Sequence, residues 1–201
     1  NKLSLKDHLQ QLWQSLSGGW LVKSKTAKST VNDSGTKSPR LPNDTTTMLD
    51  PRTEKTLGTL HEKVQPKFRA FMEYVQRMAL AEGLEYRAIS GLRTFEEQAE
   101  IYAQGRTKPG RIVSNAKPGT SYHNYGLAID CGVFRGGKYL DADEPQTAED
   151  FHAKAGKVAD EYGLTWGGSF SNFKDTPHFE LSKGLPILTL LEKHNRGEDI
   201  I

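Results

Sequence analysis

Asp130 lies inside an apolar stretch, and this position restricts what the chain can fold into. Residues 126–134 read GLAIDCGVF, and apart from the aspartate they predict a short apolar strand. A carboxylate buried in such a strand is costly unless a cation or a hydrogen-bond donor meets it. Any fold of this chain must therefore supply Asp130 with such a partner.

Two histidines are candidates for a shared metal site with this aspartate. His123 precedes Asp130 by seven residues, and His178 opens a second predicted strand, 177–181. Seven residues span about 10 Å on a helix and more than about 20 Å on a strand, whereas ligand atoms on one zinc lie about 3.5 Å apart. A turn at residues 124–126, Asn-Tyr-Gly, could bring the pair together. His178 would complete two histidines and a carboxylate, a set that leaves one zinc position for water.

Two charged residues extend this pattern toward hydrolysis. Asp175 precedes His178 by three residues across a Thr-Pro turn, where it could serve as a base for a zinc-activated water. Arg93 follows a predicted strand and could stabilise an oxyanion or hold a substrate carboxylate. A cap of the turn for Asp175 and a surface ion pair for Arg93 remain open as alternatives.

Two other enzyme classes fit less well. Ser121 and His123 would lie about 6.6 Å apart on a strand, too far for a nucleophile and its base, and a Gly-x-Ser-x-Gly elbow is absent from the sequence. Non-haem iron oxygenases also use two histidines and a carboxylate. The seven-residue step from His123 to Asp130 differs from the tight His-x-Asp spacing usual there.

The pattern of elements predicts an α+β domain with a small antiparallel sheet and packed helices, because the strands are short and do not alternate strictly with helices. The predicted helices and strands, in chain order, are a helix from Pro66 to about Ala81, a strand over 85–90, a helix from the Thr94–Glu97 capping box to Gln104, strands over 126–134 and 177–181 separated by a helix from Thr147 to Gly163, and a helix from about Leu185.

The first 48 residues differ in composition from the rest. Residues 1–16 place four leucines at helical spacing and predict an amphipathic helix, whereas 17–48 are polar and predict a flexible linker before a domain over 49–201. Residues 1–48 carry seven basic against three acidic side chains, which suits contact with an anionic wall polymer or a membrane surface, while a helix packed on its own domain and a plain solvated linker remain open as alternatives. The net charge of the chain is only +2, so nucleic acid is not expected as a partner.

Three further expectations concern the state of the chain. Polar residues interrupt 1–16, so this segment is not a signal peptide, and the sequence contains no stretch of about 18 apolar residues that could span a membrane. The single cysteine, Cys131, excludes an internal disulfide and is expected to pack as a small apolar residue. We expect a monomer.

The motifs resemble those of a known peptidase family. SYHNYGLAID, residues 121–130, fits the Ser-x-His-x-x-Gly-x-Ala-x-Asp motif of zinc D,D-peptidases and L-alanyl-D-glutamate endopeptidases. WGGSFSNFKDTPHF, residues 166–179, is similar to the second motif of the endopeptidase branch, found in phage endolysins and bacterial wall hydrolases. The upstream run SGLRTFEEQAEIYAQGRTKPGRIVSNA looks like the same branch. The resemblance covers roughly 49–182 and implies a fold like that of D,D-peptidases and hedgehog domains.

The resemblance also implies roles for individual residues. His123, Asp130 and His178 would bind one Zn2+ per chain, with Asp175 as the general base and Arg93 stabilising the tetrahedral intermediate.

Two more residues are expected at the substrate. By the same resemblance Ser121 would touch the substrate, although a backbone hydrogen bond would equally explain it. Trp166 is expected at the wall or in the core of the cleft, because a large aromatic side chain is usually buried.

The function implied is hydrolysis of peptidoglycan stem peptides, with L-Ala–D-Glu as the preferred bond. D-Ala–D-Ala carboxypeptidase activity is the alternative, and a non-catalytic zinc protein of the hedgehog type is a third. Asp175 argues against the third, because a binding protein needs no base beside its metal. The expected location is the periplasm or the cell wall, and delivery to the wall by a phage is the alternative.

Overall fold

A computed structural model describes residues 48–201. The predicted helix 1–16 and all of the predicted linker except Met48 lie outside the described residues. In chain order the described helices are α1 Pro51–Leu57, α2 Gln65–Ala81, α3 Phe95–Ala103, α4 Leu140–Asp143, α5 Pro145–Ala159 and α6 Ile187–Asn195. The described strands are β1 Glu85–Ser90, β2 Ala128–Arg135, β3 Lys138–Tyr139, β4 Thr165–Trp166 and β5 His178–Glu180. Within 48–201, none of the helices combines the length and apolar character needed to cross a bilayer.

The sheet is antiparallel throughout and β2 lies at its centre. The strand order is β1-β2-β5-β4, and β3 pairs with the second half of β2. β2 is hydrogen-bonded to strands on both sides, and its residues from Ala128 to Phe134 are buried. The predicted α+β class with a small antiparallel sheet is confirmed.

The two faces of β2 have different surroundings. Ile129, Cys131 and Val133 are fully buried in the hydrophobic core, where they meet α2 residues such as Met72. Successive side chains of a strand point to opposite faces, so Asp130 lies on the face away from this core. Cys131 packs as an apolar residue, as predicted.

Helix α1 was not predicted from the sequence, and its role is to cover the outer edge of the sheet. Buried Thr53 Oγ1 accepts a hydrogen bond from the backbone N–H of Ala88 at 3.0 Å, and Thr56 Oγ1 donates to the carbonyl of the same residue at 3.2 Å. Asp50 caps the helix by accepting from the N–H groups of Arg52 and Thr53. Threonine side chains thus satisfy backbone groups of β1 that would otherwise lie at an open edge.

The predicted long helices are confirmed with small shifts of their ends. Helix α2 begins at Gln65, one residue before the proline that suits its first turn. Helix α3 has the predicted capping box, in which Thr94 and Glu97 each accept from the other's backbone N–H. Helix α5 begins at Pro145 rather than Thr147 and continues as a 3₁₀ helix to Gly163.

Candidate metal centre and cleft

Strand register brings the aspartate and one of the histidines together. Asp130 on β2 pairs directly with His178 on β5, so both side chains project from the same face of the sheet. Asp130 Oδ1 lies 3.1 Å from His178 Nδ1. On β5, Phe179 follows His178 and points to the other face of the sheet, where it is fully buried in the core. The core therefore fixes which way the two polar side chains face.

A tight turn supplies the second histidine. His123 lies in a 3₁₀ helix, Tyr122–Tyr125, that Gly126 ends with a left-handed φ of 64°. A side chain at this glycine would also meet the backbone N of His61 at 2.6 Å, so the close approach requires glycine. The turn lies where the sequence predicts it, and it places His123 Nε2 3.2 Å from both Asp130 Oδ1 and His178 Nδ1.

These three side chains form a buried cluster whose facing ligand atoms all lie within 4.8 Å of one another. His123 Nδ1 is 2.7 Å from the carbonyl oxygen of Gly91, which can only accept, so this nitrogen carries a proton and Nε2 presents its lone pair to the cluster. His178 Nε2 is 2.9 Å from Glu180 Oε2, which leaves Nδ1 to face the cluster. Both imidazoles are therefore held in the orientation that metal ligation needs, and the Gly91 carbonyl also fixes the tautomer of His123.

The charge balance of the cluster also favours a cation. The charged side chains among the described residues that line the cleft are Asp130, Asp175, Glu180 and Arg93. Burial lowers the pKa of His178, but hydrogen bonds with Asp130 and Glu180 outweigh it and raise this pKa to about 10. Two imidazole nitrogens and a carboxylate oxygen, in surroundings that attract positive charge, fit Zn2+.

Asp175 faces the same cleft but is not one of the three clustered residues. Burial, followed by the negative charge of Asp130, raises the pKa of its carboxyl to about 6. Its Oδ1 atom is buried and has no hydrogen-bond partner within residues 48–201. A buried carboxylate oxygen without a hydrogen-bond partner lowers the stability of the fold. Such an oxygen is typical of a group that is kept free to accept a hydrogen bond or a proton from a reactant.

The turn that carries Asp175 is held by its backbone and by Trp166. The N–H of Asp175 donates to the carbonyl of Gly167 at 3.0 Å, and the indole N–H of Trp166 donates to the carbonyl of Thr176 at 2.8 Å. Added side chains at Gly156 or Gly168 would overlap the indole ring. Trp166 is half-buried and is not one of the residues that line the cleft, so its place is behind the Asp175 turn.

Arg93 is joined to the cluster through both its backbone and its side chain. Its N–H donates to the carbonyl of His123 at 3.0 Å, and its Nη2 lies 3.5 Å from Asp130 Oδ2. Nη1 donates to Gln98 Oε1 at 3.0 Å. The guanidinium therefore reaches the edge of the cluster and faces into the cleft.

The cleft has a volume of about 500 Å³, and its wall has parts of different composition. One part of its wall is the irregular segment 113–116 together with Ser121, and another part is the segment 170–173 with two phenylalanines. Six of the seven residues predicted at the site line this cleft. They are Arg93, Ser121, His123, Asp130, Asp175 and His178. Trp166 does not line the cleft, and its contact with substrate stays a prediction.

Two polar residues of the site were missed in the sequence. Glu180 lies two residues after His178, and this strand spacing could have placed it on the same face. Gln98 lies three residues after Phe95 on α3, so a polar residue occupies the buried stripe of a helix. Both signals are weak, because the spacing of residues along a strand or a helix does not show which side chain each residue contacts.

Two comparisons of the sequence identify relatives of known activity. A family model described as D-alanyl-D-alanine carboxypeptidase matches residues 114–181. The chain is 36% identical over 122 residues to the peptidoglycan L-alanyl-D-glutamate endopeptidase CwlK of Bacillus subtilis strain 168, a match covering 59% of this chain and 73% of CwlK.

The chain is also similar to solved structures at lower identity. The L-Ala D-Glu endopeptidase ChiX of Serratia marcescens has a TM-score of 0.46 and 22% identity, over 66% of this chain and 87% of ChiX. A vancomycin resistance D,D-pentapeptidase, VanY, solved in complex with Zn(II), has a TM-score of 0.43 and 17% identity, over 70% of this chain and 81% of VanY.

Proposed function

The chain belongs to the family of zinc D,D-peptidases and L-alanyl-D-glutamate endopeptidases, and we propose that it hydrolyses the L-Ala–D-Glu bond of peptidoglycan stem peptides. It is a metallopeptidase that acts on peptidoglycan. The choice of bond is supported by the 36% identity with CwlK. The observation that carries the catalytic part of the proposal is a buried His-Asp-His cluster sharing one cleft with Asp175, whose buried Oδ1 has no hydrogen-bond partner among residues 48–201.

His123 Nε2, Asp130 and His178 Nδ1 are the proposed ligands of one Zn2+. The support is that Gly91 and Glu180 already hold one nitrogen of each imidazole facing the cluster. When bound, zinc would supply Lewis acidity that polarises the scissile carbonyl and lowers the pKa of a water. Glu180 is proposed to orient His178 and to raise the basicity of its ring.

Asp175 is the proposed general base. A raised pKa, about 6, makes its carboxylate a better proton acceptor than an ordinary aspartate while leaving it ionised at neutral pH. Its free oxygen takes a proton from the attacking water and then gives that proton to the leaving amine. The hydrogen bonds at Gly167 and Thr176 hold this carboxylate in place between the two transfers.

Arg93 is proposed to act on the substrate oxygen. Its guanidinium is fixed at the edge of the cluster, where a donor could meet the negative charge that develops on the scissile carbonyl. It would act through its charge and its N–H donors, without a proton transfer. Ser121, on the wall of the cleft, is proposed to hydrogen-bond the peptide.

Carboxypeptidase action on terminal D-Ala–D-Ala is the second candidate, and the description of the family model matching 114–181 favours it. The two substrates share one chemical feature. In both, the scissile nitrogen belongs to a residue whose α-carbon bears a free carboxylate. One cleft chemistry therefore suits either bond, and product analysis must separate them.

The proposed place of action is the bacterial wall, which is where the substrate lies. Contact of residues 1–48 with an anionic wall polymer, and a monomeric state, stay predictions.

The test is digestion of purified muropeptides by the full chain, followed by mass spectrometry, with and without a chelator. Products cut after L-Ala, formed only without chelator and with one zinc per chain by metal analysis, would support the endopeptidase. Loss of terminal D-Ala would move the assignment to the carboxypeptidase. Zinc without cleavage would contradict both and indicate a binding protein.

A further inference from the structure

Gln98 is a fully buried polar residue on a helix whose other described residues are partly or fully exposed. Its amide uses both of its ends. Oε1 accepts from Arg93 Nη1 at 3.0 Å, while Nε2 donates to the carbonyl of Ala116 at 2.8 Å and to Ser114 Oγ at 3.2 Å. A buried primary amide is tolerated only when its donors and acceptor are paired, so these contacts determine its position.

The contact with Arg93 is the best-formed hydrogen bond of that guanidinium among the described residues. The other side-chain contacts of Arg93, to Ser90 Oγ and to Asp130 Oδ2, are both 3.5 Å long. At that length a hydrogen bond is weak. The plane of the guanidinium is therefore set mainly by Gln98.

The contacts of Gln98 with residues 114–116 hold that wall of the cleft in place. Residues 111–117 have no regular secondary structure, so a strand or helix ladder does not hold them. Side chains do so instead. Gln98 binds Ala116 and Ser114 from the buried side, and Arg106 binds the Ser114 carbonyl at 3.0 Å from the exposed side.

We propose that Gln98 is a positioning residue that fixes both the Arg93 guanidinium and the 114–116 wall of the cleft. Gln98 does not itself line the cleft, so it acts only through these two partners. One amide thus sets the distance between the group that meets the substrate oxygen and the wall that receives the peptide. This inference rests on the proposed hydrolysis but not on which of the two bonds is cut.

The test begins with Gln98→Met, which keeps the volume and apolar stem but removes the amide. Exposed Gln146, on α5, provides the matched control as Gln146→Met. The substrate is whichever soluble muropeptide the wild-type chain is found to cleave. We expect kcat to fall about 10- to 100-fold in Gln98→Met and to stay unchanged in the control, with equal zinc content.

A double-mutant cycle separates positioning from general destabilisation. If Gln98 acts on kcat through Arg93, then Gln98→Met should change kcat less than about threefold in an Arg93→Met background, while KM rises in both backgrounds. Equal loss of kcat in both backgrounds would overturn the proposal. If the wild-type chain cleaves neither bond, the proposed function fails, and hydrogen exchange still tests Gln98.

Hydrogen exchange gives a readout that does not need activity. Backbone amides of 113–117 should exchange faster in Gln98→Met than in wild type and the Gln146→Met control, with α2 unaffected. Unchanged exchange at 113–117 would contradict the wall contact. Should Gln98→Met fail to fold, Gln98→Glu serves instead, because its carboxylate still accepts from Arg93 but cannot donate to Ala116. That variant should keep kcat within about tenfold and accelerate exchange at 113–117, and slow exchange there would overturn the proposal.

Discussion

Asp130 and His178 are register partners on adjacent antiparallel strands, and Asp130 Oδ1 lies 3.1 Å from His178 Nδ1. The hydrogen-bond ladder of the sheet therefore fixes their separation, rather than the flexibility of a loop. His123 reaches the same point from a tight turn ended by Gly126. Two rigid strands and one turn build the cluster, which is the kind of support that a metal site with little room for adjustment needs.

The first prediction concerns Asp175. Asn at this position keeps the shape but cannot accept a proton, so Asp175→Asn should keep its zinc and lose turnover by about 10²- to 10⁴-fold. Metal analysis and muropeptide cleavage rates measure the two effects. The matched control is Asp160→Asn, an exposed aspartate that pairs with Lys183, and it should behave as wild type. Normal turnover in zinc-loaded Asp175→Asn protein would refute the base role.

The second prediction tests whether Glu180 supports zinc binding without being a ligand itself. Glu180→Ala removes the acceptor that orients His178 Nε2, and we expect zinc affinity to fall about 10- to 100-fold. Glu180→Gln keeps an acceptor oxygen and should lose less. Competition with a chromophoric chelator measures the affinity without any assay of activity. Glu62→Ala, at an exposed position, is the control, and an affinity of Glu180→Ala equal to that control would contradict the role.

Much of this site could be predicted because its chemistry is local. A carboxylate in an apolar strand needs a cation, and a glycine turn seven residues earlier offers a histidine, so Asp130 and His123 point to each other from the sequence. The pairing of Asp130 with His178 depends on the register of strands 48 residues apart, which local pattern does not encode. His178 was a candidate because it opens a predicted strand, and the family motifs, rather than its spacing from Asp130, supported its inclusion.

The parts that could not be predicted are short or depend on distant partners. Helix α1 has seven residues and faces β1 with buried threonines, so it lacks an apolar stripe. Strand β4 has two residues. Trp166 reads as an ordinary buried aromatic, and only the fold shows that its N–H meets the Thr176 carbonyl. Such contacts are set by tertiary packing, which overrides local preference.

Trp166→Phe tests whether this tryptophan holds the turn or touches the substrate. Phenylalanine keeps an aromatic ring between the two glycines but cannot donate to Thr176, so the Asp175 turn loses one anchor. We expect kcat to fall by about tenfold with KM changed less than about twofold. Steady-state kinetics on a soluble muropeptide provides both values. A rise in KM at constant kcat would instead support direct contact with the substrate.

Removal of the metal should affect stability as well as activity. Without a cation, the carboxylates of Asp130 and Asp175 are buried near each other, and burial followed by the negative charge of Asp130 raises the pKa of Asp175. Zinc that binds only the folded chain stabilises it by about 2.7 kcal/mol at a free concentration one hundred times its Kd. Chelator should therefore lower the melting temperature and abolish cleavage, and added zinc should restore both. A melting temperature indifferent to chelator, in protein shown to hold zinc beforehand, would place the metal outside the folded core.

The last prediction concerns the segment before the described domain. The described lining of the cleft and the cluster belong to residues 48–201, and the hydrogen bonds that hold Arg93, His123 and His178 join residues of this range. A chain that lacks residues 1–48 should therefore cleave a soluble muropeptide at the rate of the full chain. Residues 1–48 carry seven basic side chains against three acidic ones, so the truncated chain should bind intact walls less tightly than the full chain. Sedimentation with purified walls, with and without their anionic polymer and at two salt concentrations, measures this binding. Equal binding by both chains would remove the attachment role, and loss of turnover on the soluble peptide would show that the segment contributes to the catalytic domain.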